Sequence, residues 1–434
     1  MKSKKLLVSV TAAAAAAVMA LAGCGSSSSS SSSSGSGTTG SSSSAAGSTS
    51  SSKRTDFVLG GLWPQTGSLA YLAPPELAAE KLAVQDINDA GGVLGNKITT
   101  VDADTSDADH ADQNTSATQS VLSKNPSFII GPASSSVVKN VYKTITSQKI
   151  PMLSMGATSS DFSGLSDFFF RTVPPDTVQG AVLGQVIAQD GVKNLAVAVF
   201  NDEYGTGLRD TVVKTVKDAG VNIVYGESDA FDPTETNFAS VATAIKASNP
   251  DAVAVIAFDQ TKPLVKALAS AGIDTKKLYF VDGNTADYSK DFDAGLLEGS
   301  KGTIPGVMAS DDFQKKLVAA YGQDITTFTY GAETYDGIIL AALAAEKGGS
   351  ADGETIQKNM AAVSGANGGE KCTSFKDCAA LIKSGKDIQY SGQTGIGPFN
   401  KNNDPSSANI GVYLFDGSNK PNFDHTQQGE VPAA

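Results

Sequence analysis

Short apolar runs alternate with longer stretches in which apolar residues recur at helical spacing, and this alternation governs most of the chain. Residues 56–62 read as a buried strand, and after a loop with Pro64, Gly67 and Tyr71 the pair Pro74-Pro75 opens a helix. That helix shows Leu77, Val84 and Ile87 on one face and stops at Gly91-Gly92, the punctuation that proline and glycine supply. Residues 98–101 form the next strand, then come an acidic loop at 102–109, a helix over about 113–122 and a short buried strand at 127–130. Gly131-Pro132 turns the chain into Ser134-Ser135-Ser136, hydroxyls suited to capping a helix over 137–146. A strand at 150–153 follows.

The same grammar restarts after Arg171. Strands are expected at 195–200, 222–225, 252–258 and 278–281. Between them lie helices marked by Leu208, Val212 and Val216, by Phe238, Val241 and Ile245, and by the run 264–271. Two such series predict an α/β chain of two doubly wound parallel-sheet lobes with helices on both faces. Beyond residue 300 the pattern loosens into a helix around 333–346, a cysteine-bearing loop, and short strands near 397–399 and 410–415. These pieces are expected to complete the two lobes rather than build a third.

The N-terminus carries a different signal. Lys2, Lys4 and Lys5 precede an Ala/Val/Leu-rich run, the pattern of a secretory leader. The apolar run is short for a span, and no later stretch offers about 18 consecutive apolar residues. Leu21-Ala22-Gly23-Cys24 resembles the bacterial lipobox, in which cleavage leaves the cysteine first and lipidated; an ordinary leader with an incidental cysteine is the alternative. Residues 25–52 are almost only Ser and Gly and cannot bury a core. Such a coil reaches about 30 Å. The expectation is a leader over 1–23, lipidation at Cys24, a tether over 24–54, and a folded part held at the extracytoplasmic face of a bacterial membrane.

Composition narrows the field. A net charge of −12 and the lack of a basic stripe argue against nucleic acid. With Cys24 lipidated, Cys372 and Cys378 remain as an even pair, close in sequence in an exported chain, so a disulfide closing a short surface loop is expected. The two histidines, His110 and His425, offer little to a zinc site. The run Asp102, Asp104, Asp107, Asp109 lacks the glycine and terminal glutamate of a calcium loop and reads as a solvated acidic loop. No Gly-x-Ser-x-Gly elbow or Walker loop occurs, and Gly205-Thr206-Gly207 meets Asp210 where a dinucleotide fingerprint needs glycine. Neither an enzyme nor a metal or cofactor site is expected; an exported amidase or esterase would need His/Ser or Cys/His pairs that the sequence lacks.

In doubly wound sheets ligands gather beyond the carboxyl ends of strands. Three loops of the first series qualify, 63–71, 131–136 and 154–160, and the last two are hydroxyl-rich where helices are expected to begin. Ser135 and Thr158 there suit a carboxylate or phosphate, although each alone serves equally as a cap. The second series offers Tyr204, Phe258-Asp259 and Asp282-Gly283 at matching places. A single such acid is most often a turn residue. Together the two walls suit a zwitterion with an apolar side chain.

With those residues in hand, the chain resembles the type I solute-binding proteins, close to the leucine/isoleucine/valine-binding group of ABC importers, from 56 to about 415. The resemblance rests on Asp86-Ile87-Asn88-Asp89-Ala90-Gly91-Gly92-Val93 with Gly95-Asn96-Lys97, on Gly131-Pro132-Ala133-Ser134-Ser135 and on Met152-Leu153-Ser154-Met155-Gly156-Ala157-Thr158. It continues through Phe170-Arg171-Thr172 with Asp176 and Gln179-Gly180, then Tyr204-Gly205-Thr206-Gly207-Leu208 and Glu333-Thr334-Tyr335-Asp336. It implies two lobes joined by three crossovers, one of 55–175 with about 304–398, the other of 176–303 with about 399–425. It further implies that Ser135 and Thr158 hold a ligand carboxylate, that the Gly156 carbonyl accepts from its ammonium, and that Tyr204 covers it. Phe258 falls near an aromatic wall position. Asp282 takes the place of an acid that is Glu in branched-chain binders, while another register puts Asn284 there. The implied function is capture of a small solute, a branched-chain or related amino acid, for an ABC permease. An amide- or urea-type ligand, or a sensor passing its ligand state to a signalling receptor, are the alternatives of the same fold.

Overall fold

A computed structural model describes residues 53–429 and 431; the expected leader, Cys24 and nearly all of the tether lie outside the described residues. The first series folds as β1 (Val58–Trp63), α1 (Ala73–Asp89), β2 (Thr99–Asp104), α2 (Ala111–Leu122), β3 (Phe128–Ile130), α3 (Ser135–Thr146), β4 (Met152–Ser154) and β5 (Phe169–Arg171). The strands form one sheet in the order β2-β1-β3-β4-β5, parallel throughout. Buried on both faces, β3, β4 and β5 need no polar alternation. Gly60 lets α2 close on β1: a Cβ there would lie 2.6 Å from Val121 Cγ1.

The second series comprises α4 (Asp176–Gln189), β6 (Asn194–Val199), α5 (Glu203–Asp218), β7 (Asn222–Tyr225), α6 (Ala239–Ala247), β8 (Ala252–Ile256), α7 (Thr261–Ser270), β9 (Leu278–Phe280) and β10 (Lys301–Pro305). After it come α8 (Asp311–Tyr321), α9 (Gly331–Gly348), α10 (Gly353–Ser364), β11 (Glu370–Cys372), α11 (Phe375–Lys383), β12 (Ile388–Tyr390), β13 (Ala408–Phe415) and β14 (Pro421–Gly429). The second sheet runs β14-β13-β10-β9-β8-β6-β7. It is mixed rather than parallel, because β13 returns antiparallel to β10 and β14 antiparallel to β13. β14 escapes the sequence pattern for a physical reason: an edge strand faces water, and this one carries Asn, Asp, His, Thr and Gln.

The late helices return to the first sheet. α9 packs on α1, α10, α11 and β3 and is buried from Gly331 to Glu346, which its Ala- and Gly-rich surface permits. Three crossovers therefore join the lobes, at 172–175, 306–310 and 391–407. Two buried acids pin the third. Asp336 of α9 accepts from Tyr390 Oη at 2.8 Å and from the backbone N–H groups of Gln393 and Thr394. Asp404 accepts from Arg171 Nε at 2.5 Å and from Ser163 Oγ at 2.6 Å. The strand expected at 397–399 is absent: Phe399 makes only an isolated bridge to Pro405 within this clamped crossover.

The Cys372–Cys378 disulfide is present. It ties β11 to α11 with both cysteines buried, rather than closing an exposed loop. The acidic stretch is not simply solvated. Asp104 accepts from the N–H groups of Gln65, Thr66 and Ser106, and Asp107 from Ser68 N and His110. Both acids build the turn after β1. Among the described residues no helix is long and apolar enough to cross a membrane, and no cluster of His, Cys, Asp or Glu is arranged to hold a metal ion.

Candidate ligand-binding site between the lobes

The carboxyl ends of both sheets face one another. On the first side, the three serines after β3 take three roles. Ser134 caps α3 by accepting from Val137 N, Ser135 Oγ accepts from Ser159 N at 3.3 Å, and Ser136 Oγ donates to Asp202 across the cleft. Gly131 makes this possible: at φ 92°, a Cβ there would meet the Leu62 carbonyl oxygen at 2.2 Å. The loop after β4 does not begin a true helix, contrary to the sequence expectation; only a single 3₁₀ turn, Ser160–Phe162, follows. The loop is held instead by Ser154 Oγ, which accepts from Ala157 N at 2.9 Å, and by Arg171, which donates to the Ala157 and Ser159 carbonyls.

On the second side, Asp202 caps α5 by accepting from Tyr204 N at 2.9 Å. Tyr204 and Phe258 stack with ring centroids 5.4 Å apart and planes 13° from parallel. Asp282 follows β9 with its carboxylate between two phenols: Tyr204 Oη donates to Oδ1 at 2.6 Å and Tyr330 Oη to Oδ2 at 2.5 Å. Asn284 faces elsewhere. Its amide donates to the Val255 carbonyl and Thr261 Oγ1, and its oxygen accepts from Val281 N, while Asp282 lines the chamber between the lobes.

A chamber of about 10 Å³ lies where these groups meet. Of the expected residues, Ser135, Gly156, Tyr204, Phe258 and Asp282 line it, with Leu69, Leu72 and Tyr330. Thr158 does not. Its hydroxyl is buried without a hydrogen-bond partner, as are both oxygens of Asp176. At this size the chamber is water-sized, so a larger solute is admitted only when lobes or rings shift. Cross-cleft contacts hold the lobes together: Ser136 with Asp202, Lys139 with Glu203, and Tyr71 Oη donating to the Gly283 carbonyl at 3.1 Å.

The electrostatics are one-sided. Burial pushes the Asp282 carboxyl above its usual range, while the Tyr204 and Tyr330 hydroxyls act to lower it. Burial raises Asp176 well above the usual range, and the charge of Asp282 adds to this. The same burial, together with the charge of Asp282, raises Tyr204 and Tyr330. Arg171, whose charge reaches Asp176, is committed to Asp404. Asp176, Tyr71 and Tyr330 were not singled out from sequence as site residues. Asp176 had a usable signal in its place one residue after Pro174-Pro175; Tyr330, in a polar segment far along the chain, had none.

The family model described as "Periplasmic binding protein" matches residues 57–379, and the chain belongs to that family of solute-binding proteins, which are binders rather than enzymes. It is 27% identical over 310 residues to the leucine-, isoleucine-, valine-, threonine- and alanine-binding protein of Pseudomonas aeruginosa, covering 69% of this chain and 80% of the relative. The fold is similar, at TM-score 0.69 and 21% identity, to the branched-chain amino acid transporter substrate-binding protein LivJ from Streptococcus pneumoniae in complex with isoleucine, covering 86% of this chain and 99% of that one. A solute-binding protein of an ABC transporter from R. palustris in complex with 4-hydroxybenzoate is similar at TM-score 0.67 and 18% identity, over 86% and 98% of the two chains. The type I periplasmic-binding fold is thus shared by binders of different acids.

Proposed function

We propose that this protein captures a free α-amino acid, of the branched-chain or a related kind, between its lobes and presents it to the permease of an ABC importer. The supporting observation is the pair of buried acids. Asp282 lines the chamber, and Asp176 is buried within reach of its charge; neither forms an ion pair, and an uncompensated buried carboxylate is expensive unless a cation arrives. A ligand ammonium meets that need. In this reading Ser135 and Thr158 take the carboxylate, the Gly156 carbonyl and Asp282 take the ammonium, and Tyr204 and Phe258 cover the side chain. Closure follows from contacts made to both lobes at once.

The lobes are taken as 55–175 with about 304–398, and 176–303 with about 399–425, except that β10 and β14 carry the second to Pro305 and Gly429. Lipidation at Cys24, a tether to about residue 54 and an extracytoplasmic membrane-anchored placement complete the reading. The test is a thermal-shift panel of Leu, Ile, Val, 4-hydroxybenzoate, urea and acetamide. A ligand at 100 times its Kd adds about 2.7 kcal/mol of stability. Stabilisation by an aliphatic amino acid alone supports the proposal; stabilisation by the benzoate or an amide alone replaces the amino acid as ligand.

A further inference from the structure

A second cavity, of about 310 Å³, shares Tyr330 as a wall with the chamber but contains none of Ser135, Gly156, Tyr204 or Asp282. That volume is at the small end of pockets that take organic ligands, which run from about 300 Å³. Its walls come from the end of β10, the second crossover, the segment before α9, β13 and the start of β14. Ile304, Val307, Met308, Phe328 and Tyr413 supply its apolar lining, beside polar residues such as Thr285, Gln314, Thr329 and Asn422, and Met308 is 48% exposed at this site.

One acid stands out in this lining. Glu333 is only 4% exposed, and the one hydrogen bond bearing on its carboxyl comes from its own backbone. Its Oε1 lies against the second crossover: a Cβ on Gly306 would be 2.4 Å from it, and Gly306 has φ 98°. The charges of Asp287 and Lys420, also in the lining, pair with each other at 3.3 Å. Glu333 is thus a buried acid with no cationic partner, facing a cavity lined by apolar and uncharged polar side chains as well as the Asp287–Lys420 pair, and a buried charge is costly unless it is paired.

We propose that this cavity is a second ligand site, which takes a compact ammonium bearing a short apolar tail. The ammonium sits on Glu333 and the tail on Ile304, Met308 and Tyr413. The occupant touches β10 and β13 on one side, α9 on the other, and the crossover between them, so its binding favours the lobe arrangement that keeps these walls together. Burial holds the Glu333 carboxyl up at about 8. Binding a cation requires its ionised form, so apparent affinity rises by up to about tenfold per pH unit between pH 6 and 8 and levels off above.

The experiment titrates the protein with n-butylammonium and follows the ¹³C-methyl signal of Met308. A saturable shift is expected, absent with n-butanol, at least tenfold weaker in Glu333→Gln and retained in Asp282→Ala. Retention in Asp282→Ala separates this site from the amino-acid cleft, whatever ligand the cleft takes. The pH profile, read on wild type, tests the proposal even where Glu333→Gln does not fold. Where it does fold, that variant keeps the other titrating groups near Glu333: Asp287, Lys420, Tyr330, Tyr413 and Asp336. No saturable shift, an equal shift with n-butanol, loss of the shift in Asp282→Ala, or affinity flat from pH 6 to 8 would overturn it.

Discussion

Tyr330, on the residue before α9, donates a 2.5 Å hydrogen bond to Asp282 at the end of β9, so an acid of the second sheet is held by a helix that packs on the first. The backbone of Tyr330 is left-handed, at φ 63°, an uncommon state for a bulky residue and one that sites tolerate for geometric reasons. The closed cleft therefore depends on a residue that belongs to neither of the loops richest in hydroxyls.

Removing that hydroxyl alone should loosen closure. A hydrogen bond to a charged group contributes about 1.5–3 kcal/mol, so Tyr330→Phe is expected to weaken amino-acid binding by roughly 10- to 100-fold. Small-angle scattering of the ligand-free variant should show a larger radius of gyration than wild type. Unchanged affinity and an unchanged radius would show that the contact does not hold the lobes.

The Arg171–Asp404 pair is fully buried and fixes the third crossover to the loop that carries Thr158. Truncating one partner strands the other charge, at a cost of about 3–5 kcal/mol. Asp404→Ala should lower unfolding stability by about that amount in a urea titration. A loss below about 1 kcal/mol would mean that water reaches Arg171.

Glu80 gives the ligand-free protein a distinctive pH dependence. Burial first, and then the nearby charge of Asp102, raise its carboxyl to about 9, against about 4.3 in an unfolded chain. The folded state holds this proton more tightly, so the stabilisation is fully present below about pH 4 and is lost as pH rises toward 9. The slope contributed is at most about 1.4 kcal/mol per pH unit. Urea midpoints between pH 5 and 9 should fall less steeply in Glu80→Gln than in wild type; identical slopes would contradict the assignment.

Legibility from sequence followed burial. Strands buried on both faces, such as Ala252–Ile256, and helices with one apolar stripe, such as Glu203–Asp218, stand out in the residue pattern. α4 did not: it is apolar nearly all round because α5 and the second sheet cover it, and a stripe search finds no face. β11 and β12 failed for the opposite reason, each being a three-residue strand with polar positions. In the site, strand-end loops with Ser, Tyr and Asp announce themselves by residue type. Tyr330 reaches the chamber, and Asp176 comes within reach of the Asp282 charge, through packing that only the assembled fold creates.

Calorimetric titration of leucine, isoleucine or valine into wild type and Asp282→Ala tests whether the buried Asp282 carboxylate receives a ligand ammonium. Saturable binding to wild type is expected, with a loss of about 2–5 kcal/mol, at least about 30-fold in Kd, on removing the carboxylate. Equal affinity in the two proteins, or binding only of ligands without an amine, would contradict it.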